Sequence, residues 1–499
     1  MNAMGIRPPT WLLLSGLAAI VIAIAGRPGP FGGLVVAGAA LVHLGAWTST
    51  SRASAGLATA TAALGMASVA VAPIAPLAPI ATIPLTVAIA ASFALAGVVA
   101  GPGRAPARRF GNVAVRAGHA ARATLGWCAV EALWARPALL GDAALPVLAI
   151  GSALTEGPLL VVASWLGVAG LSLLALTLGG IVAATPFAAV AVIATATVGL
   201  AYGTGPAGTS RAASPFAASE VVRLRLVQHA PTPASIALVR FDPGAAQDQL
   251  RFLEEHAGHA GERLVVLPEA LLPRPLRMDG DPAALTTRPS GLPGAADVLF
   301  GTATVRPEGT FNSVLLWSDA ELRIVADKRR LVPLTETALT RGEPQEATSW
   351  RGLRIAAAIC WEAAFPSVAR RAAREGATFL ALLANDAYAG TGPVGRLHLR
   401  MARLRAAESG LPIAFVQATG PSAAIASDGR VVGMLQAGRR GSLDVDLPIA
   451  GVRTPFRRTG DLVGPLSLAA SLASLASLGL AGRGRGRGRG RAGLKGGEA

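Results

Sequence analysis

The chain has 499 residues, 52% hydrophobic and only 15% charged, with a mean hydropathy of +0.50. That composition excludes a disordered polymer and a single ordinary soluble domain. The formal net charge is +16, and the two cysteines, Cys128 and Cys360, are too few and too far apart for a disulfide framework or a Cys-based metal site.

The charges divide the chain. Residues 1–203 carry nine Arg, no Lys and three acids, Glu131, Asp142 and Glu156, whereas 204–461 carry 30 basic and 25 acidic residues. Charged side chains are costly in hydrocarbon, so uncharged stretches of about 20 residues mark spanning helices. Such stretches lie at 9–26, 30–48, 55–74 and 80–101. A loop over 104–122 follows, with Arg104, Arg108, Arg109, Arg116 and Arg122. A fifth span covers 123–140, and two more cover 158–182 and 185–203. Residues 1–203 therefore read as an N-terminal α-helical membrane domain of about seven spans, and 462–482 as a C-terminal membrane helix. Basic residues favour the cytoplasmic side. That rule puts the Arg-rich loop and the tail over 483–499 inside, and the intervening segment outside. The tail, with Arg483, Arg485, Arg487, Arg489 and Arg491, is expected to be disordered and to rest on anionic lipid; no nucleic-acid partner is expected. Glu131 is expected to pair with Arg136, and Trp165 to anchor at the membrane interface.

From about 220 to 450 the pattern becomes that of an α/β domain. Short apolar runs at 235–241, 263–267, 298–304, 313–317, 353–359, 378–384 and 412–418 predict buried strands, and helices are expected over 244–258, 366–375 and 395–409. Three runs end on reactive side chains. Glu269 follows RLVVLP, Lys328 follows LRIVAD and Cys360 follows LRIAAAI. A carboxylate, an ammonium and a thiol held at rigid strand ends suit acyl transfer through a thioester. The carboxylate accepts the thiol proton, and the ammonium holds the developing oxyanion.

The strings VVLPEA, ADKRRLVPLTE and AAAICWEAAFP resemble those of the nitrilase, or carbon–nitrogen hydrolase, superfamily, in the chain order of its Glu–Lys–Cys triad. That resemblance implies a nitrilase-type αββα sandwich. With a multi-span N-terminal part, the chain is most similar to the apolipoprotein N-acyltransferase family. KRRLVPLTE (328–336), Cys360-Trp361-Glu362, Asn385-Asp386-Ala387-Tyr388, HLRMARLRAAESGLP (398–412), Phe311-Asn312-Ser313 and TPFRRTGD (454–461) carry the similarity, along with WCAVEALWAR (127–136) and GVAGLSLL (167–174). The resemblance implies Cys360 as nucleophile, Glu269 as general base and then acid, Lys328 as oxyanion partner and Glu336 as the residue orienting Lys328 or the amine. Glu362, Trp361 and Asn385 are supporting candidates, and His398 is expected to cap a helix or face solvent, with a position facing the site as the alternative. The implied reaction moves a fatty acyl group from membrane phospholipid to the N-terminal amine of a lipoprotein, with no cofactor and no metal, on the exoplasmic side of a bacterial cytoplasmic membrane. Only 23 residues lie between Glu336 and Cys360, where that family usually carries a longer lid arm. The segment 270–277 (ALLPRPLR) is an apolar substitute. The alternative left open is a conjugal-transfer TraB-like protein or another membrane-tethered carbon–nitrogen hydrolase acting on an unknown amide.

Overall fold

The computed structural model describes residues 9–27, 31–72, 75, 79–101, 113–185, 187–204, 220–232, 243–257, 261–278, 289, 292, 296–333 and 335–492. Its N-terminal half is helical: α1 (Thr10–Gly26), α2 (Val35–Thr48), α3 (Arg52–Val71), α4 (Pro79–Ser92), α5 (Ala94–Ala100), α6 (Val113–Trp134), α7 (Ala163–Ala184) and α8 (Ala188–Thr204). Three helical segments are long and apolar enough to cross a membrane, namely Arg52–Val71, Pro79–Ala100 and Pro158–Ala184. Thr10–Gly26, Gly32–Thr48 and Val463–Ser477 are shorter apolar helices. Small residues let these helices approach closely. A Cβ at Gly65 of α3 would overlap the Ala19 carbonyl of α1, so the contact requires glycine there. Outward faces are aliphatic, as with Ile80, Ile83 and Val87 of α4 and Val190, Ile193 and Val198 of α8, all exposed.

Two details differ from the sequence expectation. The Arg-rich segment is helical from Val113 onward, so α6 takes in Arg116 and Arg122 and ends at Trp134, before a single turn at Pro137–Leu140. Pro137 cannot continue the helical hydrogen bonding, which ends the span early. Glu131 does not pair with Arg136. Its Oε1 accepts hydrogen bonds from Trp127 Nε1 and the Ile150 amide, both at 2.8 Å, so one oxygen of this buried acid is held without a counter-charge.

The C-terminal half is built on thirteen strands. These are β1 (Val221–Gln228), β2 (Leu264–Val266), β3 (Leu276–Arg277), β4 (Val298–Arg306), β5 (Gly309–Ser318), β6 (Glu321–Asp327), β7 (Thr348–Trp350), β8 (Leu353–Ile359), β9 (Phe379–Ala384), β10 (Ile413–Gln417), β11 (Ser422–Ile425), β12 (Val431–Leu435) and β13 (Gly441–Pro448). The helices are α9 (Pro243–Ala257), α10 (Pro366–Arg374), α11 (Pro393–Ser409), α12 (Pro455–Thr459) and α13 (Val463–Ala492). The expected strand at 235–241 lies outside the described residues. One sheet has the order β13-β1-β2-β4-β5-β6 with β3 beside β4, and the other β12-β11-β10-β9-β8-β7. The pairs β1–β2, β2–β4, β8–β9 and β9–β10 are parallel. The sheets face each other, with α9 outside the first and α10 and α11 outside the second. The result is a helix–sheet–sheet–helix stack. All six residues of β9 are buried, as expected of a strand covered on both faces.

The final helix corrects another expectation. α13 continues through the Gly-Arg repeat to Ala492, where the sequence suggests a disordered tail. Extending an existing helix needs no new nucleus, which works against the cost of about 1 kcal/mol for each alternating glycine. Residues 493–499 lie outside the described residues.

The two halves meet along α11. Arg400 donates to the carbonyls of Gly26 (2.7 Å) and Arg27 (3.0 Å) at the end of α1. Arg403 pairs with Glu156 at 3.0 Å. Glu408 accepts from the Val168 amide at 2.8 Å, next to the kink at Gly167 (φ +67°). A side chain at Gly167 would be strained and would also overlap Phe456, so α7 bends there only because it has glycine.

Candidate active site

Each of the three reactive residues stands where a strand ends. Glu269 follows β2. It can sit tight against β4 because that strand has Gly301, where a Cβ would come within 2.7 Å of the Glu269 Cα. Bonds from the Gly301 amide to the Pro268 carbonyl (3.1 Å) and from the Leu271 amide to the Gly301 carbonyl (2.8 Å) pin the turn. Lys328 follows β6, its amide bonded to the Asn312 carbonyl of β5 at 2.8 Å. Cys360 follows β8 with φ +50°, a left-handed conformation costly for a residue with a Cβ. All three are buried.

Lys328 joins the carboxylates. Its Nζ lies 3.3 Å from Glu269 Oε1 and 2.6 Å from Glu336 Oε1. Glu269 is further fixed by Asn312 Nδ2 on Oε1 and the Asn385 amide on Oε2, each at 2.7 Å. Glu336 Oε2 accepts from the Val332 amide at 2.7 Å. Glu362 faces the other way and ties the loops together: it accepts from the amides of Ile359 (2.9 Å), Arg329 (2.9 Å) and Arg330 (3.2 Å). It thus holds the backbone on both sides of the thiol and just after the ammonium. Trp361 is buried and meets Phe365 edge-on at 5.9 Å between ring centroids. Asn385 contributes its backbone amide.

The electrostatics fit one shared site. Burial pushes the Cys360 thiol well above its ordinary value, the Glu269 charge pushes it further, and Lys328 opposes them. Burial alone would lower Lys328, but the negative charges of Glu269 and Glu336 outweigh it and hold the ammonium well above its usual value. The resting pair is therefore a neutral thiol and a charged lysine. Cys360 ionises only as its proton is taken, so the carboxylate is needed in the attacking step itself.

Four further residues bear on this site, all of them in the strings quoted above but without a role assigned there to Asn312, Asp386 or Tyr388. Asn312 holds Glu269. Tyr388 is raised chiefly by burial. Asp386 and His398 are buried beneath, and each feels the other's charge. His398 neither caps α11 nor meets solvent: it is 5% exposed and feels Glu269 and Lys328. A signal was present. Val394, His398, Met401, Arg405 and Glu408 recur at helical spacing on one buried face. Among the described residues, no group of three or more His, Cys, Asp or Glu is placed to hold a metal ion.

Residues 225–454 match the carbon–nitrogen hydrolase family model. The C-terminal half is a carbon–nitrogen hydrolase domain. Over about two thirds of its length the chain is similar to apolipoprotein N-acyltransferases. It is 24% identical to that of Shewanella oneidensis over 67% of this chain and 69% of the relative. The relative from Ralstonia nicotianae is 29% identical over 66% and 68%, and that from Bradyrhizobium diazoefficiens 33% identical over 43% and 44%. Among solved structures, the hydrolase domain is similar to Saccharomyces cerevisiae Nit3, described as a member of branch 10 of the nitrilase superfamily, at 19% identity over 49% of this chain and 96% of that one, with a TM-score of 0.38.

Proposed function

We propose that this chain is a membrane N-acyltransferase that moves a fatty acyl group from phospholipid to the N-terminal amine of a lipoprotein through a thioester on Cys360. The observation that carries the reading is the buried Lys328 bridging Glu269 and Glu336 in the electrostatic reach of a thiol on a strained strand end. Glu269 takes the Cys360 proton as sulfur attacks the ester carbonyl. Lys328 offsets the charge on the tetrahedral oxygen. The ester C–O bond then breaks, the proton passes to the departing lysophospholipid oxygen, and the acyl group remains on sulfur. In the second half Glu269 receives a proton from the attacking amine, the C–S bond breaks and the thiol is restored. Glu336 orients Lys328. Glu362, Trp361 and Asn385 hold the loops around them. Water must be kept from the thioester, or the acyl group is lost to hydrolysis.

Further observations support a domain on the exoplasmic face of the cytoplasmic membrane, with seven spans before it and one after, over 1–203, 220–450 and 462–482. The end of α1, the residues after α6, the start of α7 and the start of α13 all adjoin the hydrolase domain through Arg400, Arg341–Asp142, Glu408 and Gly464–Asp461. An alternating count puts those four helix ends on one side. The short segment between Glu336 and Cys360 is tied down by Arg341, which bonds Asp142 and the Arg329 carbonyl. The relatives favour this reading over the conjugal-transfer alternative. The test is incubation of the protein with labelled phospholipid followed by intact mass measurement. An acyl adduct that vanishes in Cys360→Ser is expected. Absence of adduct together with turnover of a soluble amide overturns the proposal.

A further inference from the structure

Where α10 meets α12, just ahead of the last apolar helix, five arginines gather: Arg370, Arg374, Arg453, Arg457 and Arg458. Two of them make the joint. Arg370 donates to the carbonyls of Arg457 (3.0 Å) and Arg458 (2.7 Å) at the end of α12, and Arg457 donates to the Ala373 carbonyl at the end of α10. Helix C-termini are electronegative, so each helix end holds the other's guanidinium. Burial and then the charges of Arg453 and Arg374 press Arg457 below its ordinary value, and burial and then Arg374 do the same to Arg370. The groups are thus close enough to repel. Arg374, Arg453 and Arg458 are exposed. The neighbouring acids are already engaged: Glu375 bonds Arg371 at 2.6 Å, and Asp461 accepts from the Gly464 amide at the start of α13. Immediately beyond, Leu462, Leu466 and Leu472 are exposed apolar side chains. The arginines therefore stand just ahead of the start of an apolar helix, Val463–Ser477.

We propose that this arginine cluster is a docking surface for the phosphate groups of anionic phospholipids, distinct from the thiol site and serving to hold a lipid of negative headgroup against the α10–α12 joint. The inference rests on the exoplasmic placement proposed above. On that side the positive-inside bias does not ask for basic residues, so topology does not explain five arginines there. The chemistry fits phosphate: planar guanidinium forks bind phosphate oxygens two at a time, and the apolar residues of α13 give the acyl chains a wall. Repulsion among the arginines is relieved when a phosphate is shared between them.

The test is native mass spectrometry of the full chain released from nanodiscs that mix anionic phosphatidylglycerol with zwitterionic phosphatidylethanolamine. Phosphatidylglycerol is expected to be enriched among co-retained lipids. In the triple variant Arg374→Gln, Arg453→Gln, Arg458→Gln, the preference is expected to fall by about tenfold or more, given the size of arginine–anionic lipid attraction. The same three positions as Lys retain most of it. Arg223→Gln with Arg251→Gln, two exposed arginines of the hydrolase domain, leaves it unchanged. No enrichment, or enrichment untouched by the triple Gln variant, overturns the proposal, as does displacement of the lipid by millimolar inorganic phosphate. Acyl adduct on Cys360 is read separately in the same preparations. Adduct without lipid preference removes the docking surface alone, and lipid preference without adduct removes the acyltransferase reading alone.

Discussion

The two halves of this molecule bury their interiors by opposite means. In the membrane half, helices close up on small side chains such as Gly65 against Ala19, and a buried acid such as Glu131 has one oxygen held by an indole and a backbone amide. In the hydrolase half, charges are buried in company: Lys328 with Glu269 and Glu336, Arg405 with Glu408 at 2.9 Å, and Glu362 with three backbone amides. The first strategy tolerates no added bulk at the contact itself, where even a Cβ on Gly65 would overlap the Ala19 carbonyl. The second fails when one partner is removed, because the other is left uncompensated. A catalyst needs the second kind, since only fixed charges in a dry setting act strongly on a reacting bond.

That contrast is open to attack in four ways. The largest effect belongs to Glu269→Gln, which keeps the size and one acceptor oxygen but removes the base and puts an NH2 group where the other oxygen accepted. Adduct formation, followed by mass against time, is expected to slow by about 10³-fold. A fall of less than tenfold would mean that another group takes the proton. Next is Glu362→Ala, which strands three buried amides. A loss on the order of 3 kcal/mol is expected in thermal unfolding in detergent, with adduct formation falling as the loop around Cys360 loosens. Gly65→Val follows in the membrane half, with overpacking of about 1–3 kcal/mol by the same assay. Ile80→Val, on the exposed face of α4, serves as its control and should be silent.

The smallest effect is a pH dependence. Burial, then the charge of Arg440, lowers buried His229 from 6.5 to about 4, and burial lowers His398. Both are neutral in the folded domain at pH 7. Below pH 6.5 the unfolded chain takes up protons that the folded domain refuses, so stability falls as pH drops. For His229 the loss is about 1.4 kcal/mol per pH unit and ends near pH 4. His229→Gln should flatten the unfolding midpoint between pH 6.5 and 5, and an unchanged slope would contradict the assignment.

Much of this was readable from the amino-acid order. The apolar runs before Glu269, Lys328 and Cys360 became β2, β6 and β8, because a strand covered on both faces must be apolar throughout and its end must be polar to leave the sheet. The uncharged stretches became helices for the parallel reason that lipid excludes charge. What stayed hidden depends on three-dimensional neighbours. β11 and β12 are only four and five residues long and β13 alternates polar and apolar side chains, and none is marked as part of a sheet until the three are paired onto β10 and β1. His398 reads as a surface histidine until the second sheet sets which face of α11 points inward. Asn312 matters through its side chain, which reaches Glu269 only because β5 lies beside β4. The Gly-Arg repeat was assigned by composition, whereas the helix ahead of it decides its shape.

The position of α11 has an engineering consequence. Its buried face supplies the wall beneath the thiol, while Arg400 and Glu408 on the same rod grip α1 and α7. No clean seam exists along which to cut a water-soluble fragment. A truncation beginning near residue 220 would strip away the carbonyls that Arg400 bonds, leaving a bare cation and a greasy flank on the severed piece. Screening or crystallisation campaigns should therefore start from the intact polypeptide in detergent or lipid.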